Sequence, residues 1–172
     1  MTDEEYCNNG TKPRRLMEDE ELPEELRSEL NASALHSAAQ SGDLLRVQEL
    51  LADGHSPNCF DECAKTALHY AAEGEYVDVM RALLEAGADV NAHDADRIGN
   101  TPLREVAENC SLAVAQLLID FGADPRIPGW MQLTGTHKAA ARSRGDGPKV
   151  AALLAETAKK LGHVLRPPPV SR

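Results

Sequence analysis

The sequence predicts an all-α solenoid, in which helix pairs stack side by side and share one core. The first observation is a motif that recurs in steps of 33, 35 and 33 residues and begins at Ser33, Thr66, Thr101 and Thr134. The second is that small residues close each motif, whereas paired branched residues come later in each unit. A unit of this period cannot bury its apolar face alone and must stack on its neighbours. We therefore expect four stacked helix-turn-helix units.

Each unit carries the sequence signals of an inner and an outer helix. Inner helices are predicted where small residues permit close packing, at Ala38-Ala39, Ala71-Ala72 and Val106-Ala107. Outer helices are predicted where branched pairs supply bulk, at Leu50-Leu51, Leu83-Leu84 and Leu118-Ile119. Thr66 and Thr101 are favourable N-caps, and Pro102 suits a first helical turn. Left-handed ends of the outer helices are expected at Gly54, Gly87 and Gly122.

The two ends depart from the repeat. Residues 1–21 are acidic and unpatterned, which is typical of a disordered segment. A four-residue leucine spacing predicts a short capping helix over residues 23–30. Residues 150–161 are expected to form an amphipathic outer helix that ends at Gly162, and residues 164–172 a proline-rich tail. The sequence therefore predicts one repeat domain over residues 22–163.

Composition argues against membrane, metal and catalytic chemistry. The 172-residue chain has no apolar stretch of about 18 residues and no basic-then-apolar leader, so we expect a cytoplasmic protein with reduced cysteines. His55, Cys59 and Cys63 share one loop but lack a fourth zinc ligand. No phosphate-binding glycine motif and no nucleophile with an orienting partner stands out. We expect no cofactor, no metal and no catalytic residue.

Charge is distributed unevenly along the chain, which has a net charge of −10. Residues 1–31 hold ten acids and four bases, residues 32–128 sixteen and six, and residues 129–172 two and eight. Such an acidic array repels nucleic acid and attracts basic protein surfaces, although it could equally serve solubility. We interpret the bases near the C-terminal end as a solvated capping face and not as an anion-binding site. They are Lys138, Arg142, Arg144, Lys149, Lys159 and Lys160.

The second unit, Thr66-Ala67-Leu68-His69-Tyr70-Ala71-Ala72 followed by Gly87-Ala88-Asp89, resembles the ankyrin repeat. The resemblance covers residues 32–155 and is weaker in the first and fourth units, as expected of terminal repeats. It implies that His36, His69 and His137 tie neighbouring loops together by hydrogen bonds. It also implies that a partner binds on the concave side, at the loop fingertips and the exposed positions of the inner helices.

On this chain the resemblance places the fingers at residues 61–65, 94–100 and 129–133. The second finger is two residues longer than the family pattern allows, so residues 95–98 should project. The exposed inner-helix positions would be Gln40, Ser41, Glu73, Gly74, Glu108 and Asn109. The predicted partner-binding residues form an acidic strip and a rim beside it. The strip consists of Asp61, Glu62, Glu73, Asp94, Asp96 and Glu108, and the rim of Tyr76, Arg97, Trp130 and Met131. Trp130 could instead fill the core of the fourth unit.

Two functions fit these predictions. The first is a non-enzymatic adaptor or scaffold, monomeric on its own, that binds a basic protein through its acidic concave surface. The alternative is a stoichiometric inhibitor, such as an immunity protein, that blocks the cationic active site of a toxin or enzyme. The chain is small and acidic, and we expect no second module. This suits an inhibitor, since an adaptor more often carries another module, but it is also normal for a small scaffold subunit. We favour the adaptor slightly.

Overall fold

The computed structural model describes residues 24–94, 99–128, 134–141 and 145–164. Within these ranges the secondary structure consists of helices joined by turns, and no strand occurs in them. The helices are α1 Glu24–Ser41, α2 Leu44–Ala52, α3 Ala67–Glu73, α4 Val77–Glu85, α5 Pro102–Val106, α6 Leu112–Asp120, α7 Gly135–Ala141 and α8 Gly147–Val164. The predictions for residues 1–21, for the projecting loop 95–98 and for the tail after residue 164 lie outside the described residues.

The helices form two layers. The inner layer follows the order α1, α3, α5 and α7, each packed on the next, and the outer layer follows α2, α4, α6 and α8 in the same way. Within a unit, α1 packs on α2, α3 on α4, and α7 on α8. This arrangement confirms the predicted solenoid, because every unit buries its apolar faces against its neighbours.

The core combines small residues of the inner helices with larger apolar residues of both layers. Ala39, Ala71 and Ala107 are fully buried, so the inner helices approach closely. Leu83 and Leu118 of the outer helices are also fully buried. The packing therefore confirms the prediction made from alanine pairs and branched pairs.

The predicted helix boundaries are confirmed in the middle of the stack. The N–H of Arg104 donates to the hydroxyl oxygen of Thr101 over 3.2 Å, and Pro102 occupies the first turn of α5. The three glycines that follow the outer helices adopt φ values of +89°, +89° and +91°, a region that favours glycine: Gly54, Gly87 and Gly122.

The end helices are longer than the sequence predicts. The short helix expected over residues 23–30 is instead the first part of α1, which continues for 18 residues to Ser41. Residues 31–34 contain neither glycine nor proline, so nothing interrupts the helix there. At the other end α8 continues through Gly162 to Val164. An isolated glycine lowers helix stability by about 1 kcal/mol but does not oblige a helix to end.

Two asparagines one repeat apart join consecutive outer loops. The amide of Asn58 donates to the Gly87 carbonyl over 3.1 Å, and its oxygen accepts from the N–H of Asp89 over 2.7 Å. Asn91 makes the same pair of bonds to Gly122 and Asp124, over 3.1 and 2.8 Å. Each asparagine thus satisfies two backbone groups of the next repeat and fixes the offset between the two loops.

Two of the three motif histidines tie neighbouring repeats, as the resemblance implied. The Nε2 atom of His36 lies 3.0 Å from the Cys59 carbonyl, and that of His69 lies 2.7 Å from the Asn100 carbonyl. The N–H of Thr66 donates to Nδ1 of His69 over 3.0 Å, which places the ring proton on Nε2. Burial lowers the pKa of His69 below its ordinary value of 6.5, so the ring is held neutral.

Replacing Asn91 with alanine is expected to lower the free energy of unfolding by about 1 to 2 kcal/mol, because two hydrogen bonds between repeats are lost. Urea denaturation measures the change. Gln116→Ala is the matched control, since the Gln116 amide bonds Asp120 within its own helix. Equal losses in the two variants would contradict a role for Asn91 in fixing one repeat to the next.

The neutral ring of His69 is expected to make stability depend on pH. Its pKa in the folded chain lies below 6.5, so the unfolded chain binds a proton first as the pH falls. The free energy of unfolding should therefore decrease as the pH falls through 6.5, until the folded-state pKa is reached. His69→Gln should flatten this slope, as measured by denaturation at several pH values.

Candidate functional site

The candidate site lies along the inner helices and the loops that precede them. All six inner-helix positions predicted to face solvent are exposed: Gln40, Ser41, Glu73, Gly74, Glu108 and Asn109. They stand at or just beyond the C-terminal ends of α1, α3 and α5. The stack therefore presents a polar surface built from equivalent positions of three repeats.

Asp61 organises the first finger. Its Oδ1 atom accepts the N–H groups of Cys63 and Lys65, both over 2.9 Å, and its Oδ2 atom accepts the Tyr70 hydroxyl over 2.5 Å. Partial burial raises the pKa of Asp61, but these hydrogen bonds outweigh it and the pKa lies below its usual value. Asp61 is therefore ionised, and its carboxylate is engaged within the finger.

Lys65 is the cation at the centre of this surface. Its Nζ atom forms an ion pair with Glu73 of α3 and lies 3.7 Å from Oε1 of Glu105 of α5. The same atom lies 5.5 Å from the centre of the Tyr70 ring, a cation–π distance. Burial lowers the pKa of Lys65, but the two carboxylates raise it above its usual value. One ammonium group thus joins the finger to two inner helices.

Glu105 is the most enclosed acid of the surface, with a side chain 24% exposed. The side-chain amide of Asn100 donates to its Oε2 atom. Burial raises the pKa of Glu105, yet the Asn100 bond and the charge of Lys65 bring it below the usual value. The Oδ1 atom of Asn100 is buried and has no hydrogen-bond partner among the described residues. It lines a polar pocket of about 350 Å³ that also contains Lys65 and Glu105.

A larger groove opens between the C-terminal ends of α3 and α5. We call it the α3/α5 groove, and its volume is about 710 Å³. Its lining residues are Ala72, Glu73, Glu75, Glu105, Val106, Asn109 and Cys110. The apolar members are buried, whereas three carboxylates and one amide supply its polar part. The groove therefore combines an apolar floor with an acidic rim.

Glu75 is a rim residue that the sequence analysis did not identify. It has a φ of +55°, in the left-handed region, where Gly42 of the first repeat and Gly145 of the fourth have +72° and +63°. Its carboxylate accepts the N–H of Ser111, the N-cap of α6, over 2.6 Å. One feature of the sequence could have identified Glu75: it is a charged residue at a position that is glycine in two other repeats.

The other predicted binding residues lie in different surroundings. Tyr76 is in the turn after α3, and its ring covers Gly42 so closely that a Cβ there would lie 2.7 Å from it. Tyr76 thus packs between repeats, with 37% of its surface exposed. Glu108 is exposed, with its carboxylate 3.9 Å from Nζ of Lys138. Glu62 is exposed and Asp94 half-buried. Asp96, Arg97, Trp130 and Met131 lie outside the described residues.

The described part of the chain holds neither a metal-binding cluster nor a membrane-spanning helix. None of its groups of three or more histidine, cysteine or acidic residues is arranged to hold a metal ion. None of its helices combines the length and apolar character needed to cross a bilayer. The described surface instead carries carboxylates held by hydrogen bonds and ion pairs, among them Asp61, Glu75 and Glu105.

Comparison with known proteins gives matches to one family. A family model described as ankyrin repeats in three copies matches residues 35–129. The chain is 35% identical over 126 residues to inversin of Gallus gallus, which covers 72% of this chain and 11% of inversin. It is 50% identical over 64 residues to the ankyrin repeat and LEM domain-containing protein 1 homolog of Caenorhabditis elegans, covering 36% of this chain and 9% of that protein.

A further match is palmitoyltransferase Hip14 of Drosophila melanogaster, 39% identical over 90 residues, or 52% of this chain and 14% of that protein. The chain thus spans at most 14% of the length of these three relatives. The three matched repeats contain helices up to α6, and α7 with α8 adds a fourth pair in the same two layers. The chain therefore belongs to the ankyrin-repeat family, whose repeats are generally modules of protein–protein interaction.

Proposed function

We propose that this chain is a non-enzymatic adaptor or scaffold module that binds a basic surface of a partner protein through its acidic concave side. We place it in the cytoplasm, as a monomer before it binds. The observation that carries the proposal is the set of carboxylates on neighbouring inner helices and turns: Glu73, Glu75, Glu105 and Glu108. Each stands on a stacked repeat, so their spacing is set by the fold.

The charge of the repeat region supports a basic partner. Residues 32–128 hold sixteen acids and six bases. Three of those bases are already engaged by acids, since Arg46 pairs with Glu49, Lys65 with Glu73, and Arg126 with Asp124. An excess of one sign on a surface steers an oppositely charged partner and speeds association, an effect that salt weakens.

The engaged carboxylates also support recognition rather than simple solubility. A solubilising charge needs no fixed position, whereas Glu105 is held by Asn100 and Lys65, and Glu75 by the N–H of Ser111. Side chains that are already ordered lose little conformational freedom when a partner binds. A rigid acidic surface therefore favours a specific basic partner.

The proposal predicts that neutralising the inner acids slows binding. The variant Glu73→Gln with Glu75→Gln and Glu108→Gln should reduce the association rate constant with the natural partner by about tenfold at low salt. It should also flatten the dependence of that rate on salt. The partner is first isolated with the tagged wild-type chain, and surface plasmon resonance at low and raised salt then gives the rates.

The matched control removes the same charge from the outer helices, with Glu49→Gln, Glu85→Gln and Asp120→Asn, at three exposed positions. Equal effects of both triple variants would overturn the concave site, because only the total charge would then matter. The activity of the isolated partner separates adaptor from inhibitor. An adaptor leaves that activity intact at a one-to-one ratio, whereas its loss would establish an inhibitor.

A further inference from the structure

The C-terminal end of the stack exposes a position that the preceding repeats bury. The second residue of the small pair on each inner helix is fully buried in the first three repeats, at Ala39, Ala72 and Ala107. Its counterpart in the fourth repeat, Ala140, is exposed. The first three alanines belong to repeats on which another repeat packs. The comparison indicates that the following repeat covers this position.

The outer helices show the same contrast. The residue three positions before a buried leucine is fully buried in α2, α4 and α6, where it is Val47, Met80 and Ala115. In α8 this residue is Ala151, which is only half-buried. α7 and α8 pack on α5 and α6, and no helix follows them in the described part of the chain. The fourth repeat therefore ends in an uncovered repeat interface.

α8 makes this uncovered interface longer. It has 18 residues, whereas α2, α4 and α6 have 9 each. Ala155 and Ala158 lie on the same side of α8 as Ala151, four and seven residues further along, and both are half-buried. We call these three alanines the open side of α8. Terminal repeats of a solenoid need a polar outer face to stay soluble, yet the open side is apolar. It is therefore suited to a covering segment.

The residues that continue the chain after α8 are long enough to provide the cover. α8 ends at Val164, and residues 165–172 follow it directly. When residues 165 and 166 reverse the chain direction, the other six span about 19 Å in the polyproline II conformation, at 3.1 Å per residue. The helix from Ala151 to Val164 rises about 20 Å. The segment thus reaches the whole open side.

The composition of residues 165–172 also fits the open side. Residues 167–169 are three consecutive prolines, followed by Val170. Consecutive prolines favour polyproline II, which has no internal hydrogen bonds, and proline has no backbone N–H. Such a segment can lie on an apolar helix side with few unpaired donors. Alanine methyl groups let the proline rings approach the helix closely.

A second copy of the chain fits the open side less well. It would have to present its first repeat, as each following repeat does within the stack. Val79 of α4 and Val114 of α6, one residue before the buried positions compared above, have exposed fractions of 1% and 0%. In α2 the equivalent residue is Arg46, whose side chain is 55% exposed and paired with Glu49. Stacking on this end would bury a charged group, which is costly.

We propose that residues 165–172 of this chain fold back along α8 and cap the fourth repeat, with the prolines and Val170 on the open side. The segment then takes the place that the following repeat holds elsewhere in the stack. This contact lies at the end of the solenoid and is independent of the acidic concave surface. A closed end also leaves no apolar face on which another molecule could stack.

The experiment uses the full chain with labelled methyl groups of alanine and valine, and measures nuclear Overhauser contacts between them. A contact is expected from Val170 to Ala151 or Ala155. Ala155→Lys places a long charged side chain on the open side and should abolish that contact. The matched control is Ala152→Lys, the same substitution at an exposed position of α8, which should retain it.

A second variant tests the cap without altering a helix. Replacing all three prolines with serine keeps the length of the segment but removes the rings. Amide hydrogens of residues 156–162 should then exchange about fivefold faster, the factor that corresponds to the burial of one or two methyl groups. No contact from Val170 in the wild-type chain, or unchanged exchange in the serine variant, would overturn the proposal. So would equal effects of the two lysine variants.

A mixed sample decides whether the contact forms within one molecule. Half of the chains carry labelled alanine and the other half labelled valine, so that only contacts between molecules are detected. The proposal predicts no contact from Val170 to alanine in this sample. A contact of full strength would show that the segment covers a second copy instead. The result does not depend on the proposed partner, because no partner is present.

Discussion

The spacing between consecutive repeats depends on the asparagine bridges. The inner helices meet through small side chains such as Ala71 and Ala107 and through buried leucines such as Leu68, which pack closely but bond no backbone group of the next repeat. Asn91 instead bonds one carbonyl and one N–H of the next loop, two groups at a fixed separation. Its amide therefore favours one offset between the second and third repeats, and the direct packing of α3 on α5 acts with it to position the groove between them.

The fold was predictable because its rules are local. N-caps such as Thr101 and the glycines that follow the first three outer helices act within one repeat, and the period of the motif shows where each repeat begins. The errors occurred at the ends, where there is no neighbouring repeat to define a boundary. α1 continues across the expected break before Ser33, since the residues there permit a helix. α8 continues beyond Gly162, because a glycine ends a helix only where the backbone leaves the helical conformation.

The candidate site was predictable only in outline. The exposed ends of the inner helices follow from the repeat register, so Glu73 and Glu108 could be placed in advance. Ion pairs between repeats could not be predicted. Lys65 and Glu105, for example, come together only when the repeats stack. Asp61 illustrates this limit. Its charge suggested a residue that contacts a partner, yet its carboxylate oxygens accept hydrogen bonds within the first finger and from Tyr70. Glu75 was missed because its importance depends on backbone conformation.

The pairing of Lys65 changes what an acidic surface can distinguish. A uniform field attracts any cation, and so gives a fast association rate with little selectivity. Lys65 places a fixed positive charge beside Glu73 and Glu105, whereas Glu75 accepts the N–H of Ser111, so the charge of this surface is not uniform. A total charge steers any oppositely charged partner, whereas selectivity requires side chains at fixed positions, such as Glu105 held by Asn100 and Lys65.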